Sequence, residues 1–276
     1  MVGLETKGNN EMTKTEIDNQ CVILGDCTNL LDEIPKGTVD ICVTSPPYNI
    51  GKKYGEDYDD NKKQQVYLDW IEIIFSKVSS ILKPSGSLFL NVGGTNIKPW
   101  IPYDIANRLR KFLVLQNNII WAKSISIDND NIFGHYNPIN SSRFLNNMFE
   151  HIFHFTKDGN NEIDRKSLGV PFKDKVNLQA KTVTEDIRCR GNIWFIPYET
   201  IRLKSEKGNH PAIFPKKLAE WCIKLHGFSK ETIILDPFVG TGTTLLASRE
   251  LNCNGIGIEL VPEFYQYTVE KLIKTF

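Results

Sequence analysis

Two short stretches carry residue types able to do chemistry together. The first is Thr44-Ser45-Pro46-Pro47-Tyr48, which packs a hydroxyl, carbonyls without competing N–H groups of their own, and an aromatic ring into a few residues. Two successive prolines remove two backbone donors, so a strand arriving through Val39-Asp40-Ile41-Cys42-Val43 must stop at Ser45. Such a corner suits gripping a planar ring that offers hydrogen-bond donors. Pro-Pro at a strand end is also an ordinary turn, and these residues alone do not choose between the two. The second stretch is Asp236-Pro237-Phe238-Val239-Gly240-Thr241-Gly242-Thr243-Thr244, followed by Asn254 to Glu259. Strand, glycine-rich turn, helix, strand and acid is the layout of a nucleotide site. The glycines let backbone approach a ligand, and the last carboxylate accepts ribose hydroxyl protons. Glu259 follows Asp236 at close to the offset of roughly 20 residues that this geometry uses.

Charge narrows the choice of nucleotide. A triphosphate cradle needs Gly-Lys-Ser/Thr, whereas Gly242 is followed by Thr243-Thr244, and a dinucleotide fingerprint needs a third glycine where Leu245 stands. Asp236 would repel a pyrophosphate. It suits a ligand with a positive amino group, and S-adenosylmethionine carries one beside its sulfonium, so the methyl donor is the expected cofactor.

The elements that must position these stretches follow from periodicity. Cys21–Leu24 reads as a buried strand, and Leu30, Leu31 and Ile34 suggest a helical turn before Pro35. Gly51 to Lys63 has no hydrophobic period and reads as a mobile loop. Apolar residues from Gln65 to Leu82 follow helical spacing, and Lys83-Pro84-Ser85-Gly86 stops the helix. A strand over Ser87–Val92, a helix over Tyr103–Leu113, and strands over Asn118–Ala122 and Phe149–Phe155 come next. Their alternation implies a mainly parallel sheet with helices on its faces. Periodicity weakens between Thr156 and Asn209, apart from the strand-like run Ile193–Ile196. It returns with a helix over Phe214–Leu225, a strand over Thr232–Leu235, a helix over Leu245–Leu251, a strand over Asn254–Glu259 and a helix over Pro262–Lys274.

Composition excludes several classes. Lys+Arg and Asp+Glu are 33 each, so this is no polybasic tail protein, and any strip facing nucleic acid has to be local. The six cysteines show no C-x-x-C pair and no zinc spacing; they read as reduced core residues of a cytosolic protein, with no metal expected. No apolar run approaches the roughly 18 residues of a membrane span. The polar segment 1–20 lacks an apolar targeting core and is expected to be flexible.

Together, Asp236-Pro237-Phe238-x-Gly240-x-Gly242 and Thr44-Ser45-Pro46-Pro47-Tyr48 resemble the DNA amino-methyltransferases, which methylate exocyclic amino groups of cytosine or adenine. With the Ser-Pro-Pro-Tyr stretch first and the donor motif last, the order resembles the permuted beta group, over nearly all of Cys21 to Lys274. Asn209-His210-Pro211-Ala212-Ile213-Phe214-Pro215 resembles the family's H-P-x-x-x-P segment, and Gly25-Asp26-Cys27 its G-D-C segment. The resemblance implies an α/β, Rossmann-like class I methyltransferase fold, with a mainly parallel seven-stranded sheet, helices on both faces and a small inserted target-recognition region. Its parts would be 21–155 as the catalytic half, 156–209 as the target-recognition region and 210–276 as the cofactor-binding half.

Residue by residue, the resemblance puts Asp236, Phe238, Gly240 and Gly242 along the methionine and ribose of the cofactor, flanked by Thr44, Pro237 and Thr243. Glu259 goes to the ribose hydroxyls, Asp26 and Cys27 to the adenine, and His210 with Phe214 to the methionine end. The catalytic corner is Ser45, Pro46, Pro47 and Tyr48. Ser45 Oγ and the Pro46 carbonyl would accept the two protons of the target amine, localising a lone pair that is otherwise spread into the ring, and Tyr48 would stack on a base extruded from the duplex. Ser in place of Asp at the head of the motif resembles the cytosine-N4 subset, and the Ala212-Ile213-Phe214 interior points the same way; adenine-N6 is the alternative. Arg188, Arg190 and Arg202 would read guanine edges and phosphates, with Lys52 and Lys53 on the DNA backbone.

The expected partner is double-stranded DNA, in a restriction-modification setting that allows a cognate endonuclease and a homodimer, and the expected compartment is the cytoplasm of a prokaryotic cell, at the nucleoid. Methylation of RNA or of a protein glutamine is a rival, since short Pro-Pro-Tyr motifs serve those too; the long, slightly basic insert favours duplex DNA. A DNA-binding specificity module without catalysis is a rival of another kind, against which Ser45, Tyr48, Gly240 and Gly242 argue.

Overall fold

The computed structural model describes residues 13–275 apart from 55–57, 129–130, 135–137, 180–183 and 198–212. β-branched residues spaced by two build the middle of the sheet. Val39–Thr44 (β3) turns Ile41 and Val43 to one face and Cys42 to the other, all of them buried. Around it lie Lys14–Ile17 (β1), Gln20–Leu24 (β2), Leu82–Val92 (β4), Val114–Ala122 (β5), Phe149–Thr156 (β6), Ile193–Phe195 (β7), Ile233–Asp236 (β8) and Asn254–Glu259 (β9). These nine strands form one sheet in the order β1-β2-β9-β8-β3-β4-β6-β5-β7.

The pairs β2·β9, β9·β8, β8·β3, β3·β4 and β5·β7 are parallel. β6 runs antiparallel to both β4 and β5, and β1 to β2. The reversal at β6 has a simple cause: no helix is described between Ala122 and Phe149, and a parallel return needs a long crossover. Edge strands β1 and β7 extend the expected seven-stranded sheet to nine.

Helices Gln64–Ile81 (α1) and Ile101–Leu109 (α2) cover one face, packing Ile71, Ile74, Phe75, Val78 and Ile105 onto Leu88, Leu90 and Phe155. Lys216–His226 (α3) packs Leu218, Cys222 and Ile223 onto the opposite face against Ile41, Val43 and Phe89. Thr243–Glu250 (α4) and Pro262–Lys274 (α5) close the β2 side around Val22, Leu245 and Leu272. All six cysteines are free thiols, and only Cys189 is exposed. Among the described residues no helix is long and apolar enough to cross a membrane, and no cluster of metal-ligating side chains forms.

Three expectations change. The N-terminal segment is not flexible throughout: Lys14–Ile17 is a paired edge strand, with its Thr15 hydroxyl 2.7 Å from that of Tyr265. Residues 1–12 lie outside those described. The stretch after Tyr48 is not a mobile loop. It carries a short hairpin of Lys53–Tyr54 and Tyr58–Asp59, and the buried carboxylate of Asp60 accepts the N–H groups of Asn49, Ile50 and Lys52. Finally, the Ile193–Phe195 run is part of the main sheet, with Trp194 buried in the core, so the weakly periodic insert is not wholly set apart.

Candidate active site

β3 and β8 are hydrogen-bonded neighbours, so the corner that follows each of them opens at the same edge of the sheet. The result is one cleft of about 890 Å³. Ser45, Pro46, Pro47 and Tyr48 line one side of it, and Asp26, Cys27, Pro237, Phe238, Gly240, Thr243 and Glu259 line the other. Phe214 and Lys52 reach it as well.

Asp236 does not line this cleft. Its buried carboxylate accepts the Thr44 hydroxyl at 2.6 Å, the Thr244 hydroxyl at 2.6 Å and the Phe238 N–H at 3.1 Å. Burial pushes its pKa up to about 6 against the pull of those three donors. Asp236 and Thr44 therefore tie β3 to the turn after β8, behind the ligand surface. Gly242 is also spent on the turn. Its φ of 77° starts α4 in the left-handed region, and a Cβ there would meet Thr268 Cγ2 at 2.7 Å. Gly240 is the glycine that faces the cleft.

Glu259 ends β9 with one carboxylate oxygen accepting the Gly240 N–H at 2.8 Å and the other the Val261 N–H at 2.9 Å. Burial, with a smaller push from Asp236, raises its pKa to about 7. Each oxygen keeps a lone pair, the arrangement a ribose diol needs. Beside it Asp26 caps a short helical turn by accepting the Thr28 N–H at 2.8 Å, and burial pushes the Cys27 thiol well up, so Cys27 is a packing surface rather than a nucleophile. An aromatic wall continues from Phe238 to Trp70 at 5.6 Å and on to Tyr58 at 5.4 Å between ring centres. The Tyr58 hydroxyl is buried with no partner among the described residues. A purine fits this wall, and S-adenosylmethionine as a whole fits the chain of Glu259, Gly240 and Phe238.

At the other corner Ser45 Oγ and Tyr48 Oη stand 2.8 Å apart. Tyr67 donates to the Pro47 carbonyl at 2.8 Å, while the Pro46 carbonyl accepts no bond among the described residues. Tyr48 in turn lies 3.1 Å from Glu150 Oε2, and the Asn91 amide nitrogen donates to Tyr48 Oη at 2.9 Å and to Glu150 Oε2 at 2.7 Å. Lys123 pairs with the other oxygen of Glu150. Burial first, then the Glu150 charge, holds the Tyr48 phenol well above its usual range.

Asn91, Lys123, Glu150, Trp70 and Tyr58 are site residues that the sequence does not single out. The available signals are faint: an amide before Gly93-Gly94 in an apolar strand, and an acid inside an aromatic one. Neither Arg188 nor Arg190 lines the cleft. Arg188 pairs its backbone with Val170, and Arg190 donates Nε–H to the Leu168 carbonyl while lying 4.5 Å over the Trp221 ring. Lys53 is exposed on the hairpin. His210 and Arg202 lie outside the described residues.

A family model described as DNA methylase, of N6/N4 type, matches residues 39–270. The DNA adenine methyltransferase YhdJ of Escherichia coli (strain K12) is 26% identical over 277 residues, covering 95% of this chain and 85% of that protein. Type II methyltransferases of several other bacteria also match. Among solved structures, the cytosine-N4-specific PvuII DNA methyltransferase has a TM-score of 0.68 at 20% identity, over 93% of this chain and 90% of that one. A modification methylase of Thermus thermophilus, TTHA0409, in its complex with S-adenosyl-L-methionine, has a TM-score of 0.61 at 26% identity, over 91% of this chain and 92% of that one.

Proposed function

The chain belongs to the DNA methylase family of N6/N4 type, and within that family we propose that it methylates the N4 amino group of a flipped cytosine at a specific site in duplex DNA. S-Adenosylmethionine is the cofactor, and it supplies a methyl group activated by its sulfonium.

One observation carries the reading: Ser45, Pro46 and Tyr48 share a single cleft with Phe238, Gly240 and Glu259. The exocyclic amine of cytosine is a weak nucleophile because its lone pair is conjugated. Ser45 Oγ and the Pro46 carbonyl accept its two protons and return the pair to nitrogen, and Tyr48 offers a ring for the extruded base, with stacking worth roughly 1–3 kcal/mol. Glu259 holds the ribose hydroxyls, Phe238 with Asp26 and Cys27 borders the adenine, and Phe214 with His210 borders the methionine end. Asp236, Thr44 and Gly242 act by shaping the turn.

Serine at the head of the motif supports cytosine. The name of the 26% identical adenine methyltransferase favours the second reading, adenine N6. Mass spectrometry of digested DNA from cells expressing the protein separates them: 4-methylcytosine is expected, and 6-methyladenine alone would reverse the assignment.

Recognition falls to the 156–209 region, with Arg188, Arg190 and Arg202 on bases and phosphates and Lys52 and Lys53 on the displaced strand. Unchanged affinity and site choice in Arg188→Ala/Arg190→Ala would move the reader elsewhere. The restriction-modification setting, a companion endonuclease, a homodimer and a cytoplasmic, nucleoid-associated place belong to the same proposal. Sizing chromatography and tests for a cleavage activity that methylation blocks address them.

A further inference from the structure

Behind Ser45 the hydroxyl network has a direction. Tyr48 carries one proton and has three acceptors within reach: Glu150 Oε2 at 3.1 Å, the Asn91 carbonyl at 3.2 Å and Ser45 Oγ at 2.8 Å. An anionic acceptor outcompetes neutral ones, so the proton goes to Glu150. The Asn91 amide already donates to the phenol oxygen, and the remaining lone pair there takes the proton of Ser45. Ser45 has then given away its only proton, and its Oγ meets the cleft purely as an acceptor.

The fold makes room for the anion at the end of this chain. Glu150 has a side chain only 14% exposed and is paired with Lys123, at 20%. Its carboxylate fills the space where residue 93 would carry a side chain: a Cβ on Gly93 would meet Glu150 Cγ at 2.8 Å. Placing a carboxylate so deep costs desolvation, which the lysine, Asn91 and Tyr48 offset.

We propose that Glu150 is the terminus of a proton exit that runs from the target amine through Ser45 and Tyr48. The inference rests on the reading of Ser45 as the acceptor of the amine. After the nitrogen has gained its methyl group it is cationic and still holds both protons. One N–H bond breaks as its proton passes to Ser45 Oγ, the Ser45 proton moves to Tyr48 Oη, and the Tyr48 proton moves to Glu150 Oε2. One O–H bond forms on Glu150, and the cation and the carboxylate are both neutralised. Burial keeps the Tyr48 phenol protonated at rest, so it relays the charge and does not store it. Glu150 acts through Tyr48 and is a positioning residue with a relay role; Lys123 and Asn91 hold it in place.

The test is steady-state and single-turnover methyl transfer by the full chain, with calorimetric binding of S-adenosylmethionine and of DNA as the second readout. Glu150→Gln keeps the shape and removes the charge. It is expected to lower kcat about 10²-fold while KM and both Kd values stay within about twofold. Tyr48→Phe keeps the ring and cuts the relay in the middle, so its loss is expected to be similar. The double variant should be no slower than the slower single one, since a relay broken once is broken. Glu150→Asp should recover part of the rate. A Glu150→Gln protein at the wild-type rate, losses confined to binding, or losses of the two variants that multiply would each overturn the relay. A wild-type chain that methylates no amine in any DNA would overturn the reading of Ser45 beneath it.

Discussion

The two corners of the cleft are built by opposite means. At the donor corner the acids are spent on backbone: Glu259 on the N–H groups of Gly240 and Val261, Asp236 on the Phe238 N–H and two threonine hydroxyls. Its shape is a property of the chain's path. At the acceptor corner the backbone supplies little beyond two prolines, and the geometry comes from side chains: Ser45, Tyr48, Asn91, Glu150 and Lys123, drawn from or beside β3, β4, β5 and β6. The difference suits the tasks. A cofactor that is the same in every turnover can be met by fixed backbone, whereas an amine that must give up a proton needs hydroxyls whose protons can move.

The sharpest break of this contrast is Ser45→Ala. It is expected to cut methyl transfer about 10³-fold, by analogy with the loss of one preorganised hydrogen-bonding group, while leaving S-adenosylmethionine binding unchanged. Radiolabel transfer beside calorimetry checks it, and a matching loss of cofactor affinity would mean that the corners are not separable. Asp236→Ala attacks the other side. Three donors lose a buried acceptor, so a loss of about 2–4 kcal/mol of stability is expected in a urea titration, with cofactor binding falling alongside. A fully stable variant would show that the donor turn does not depend on that carboxylate.

Acidity probes the contrast more gently. The Glu259 pKa, raised to about 7 by burial, makes the folded protein hold that proton more tightly than the unfolded chain does. Its contribution to the stability of the cofactor-free protein is therefore complete at acid pH and is lost as pH rises through 7; Asp236, raised to about 6, acts in the same direction. Cofactor affinity runs the other way, because ribose hydroxyls need the ionised carboxylate. It should weaken about tenfold from pH 8 to pH 6, and Glu259→Gln should flatten that dependence. Smallest of all, Gly242→Ala places a Cβ at a φ of 77° against Thr268 and should cost about 1–2 kcal/mol in thermal unfolding, with kcat little changed in what folds.

Much of the donor corner is legible in the chain because its parts are consecutive. A β-branched strand, a glycine turn, a helix and a strand closed by an acid lie within one short segment, and each element forms for local reasons. The detail that fails there is electrostatic. Asp236 reads as a partner for a charged ligand, but Thr44, far away in sequence, claims it. The stretch after Tyr48 departs from its reading for a related reason: loop-like composition says nothing about a buried Asp60 that accepts three backbone donors.

By itself the sequence determined the α/β class, the permuted order of the two motifs and the kind of cofactor, since backbone freedom, strand periodicity and charge act at short range. Only the tertiary structure decided that both motifs open into one cleft, that β6 runs antiparallel, and that Glu150, 102 residues beyond Tyr48, stands behind its hydroxyl. The physical reason is that a proton path depends on distances of about 3 Å between oxygens. Such distances are set by which strands become neighbours, and no local pattern along the chain encodes them.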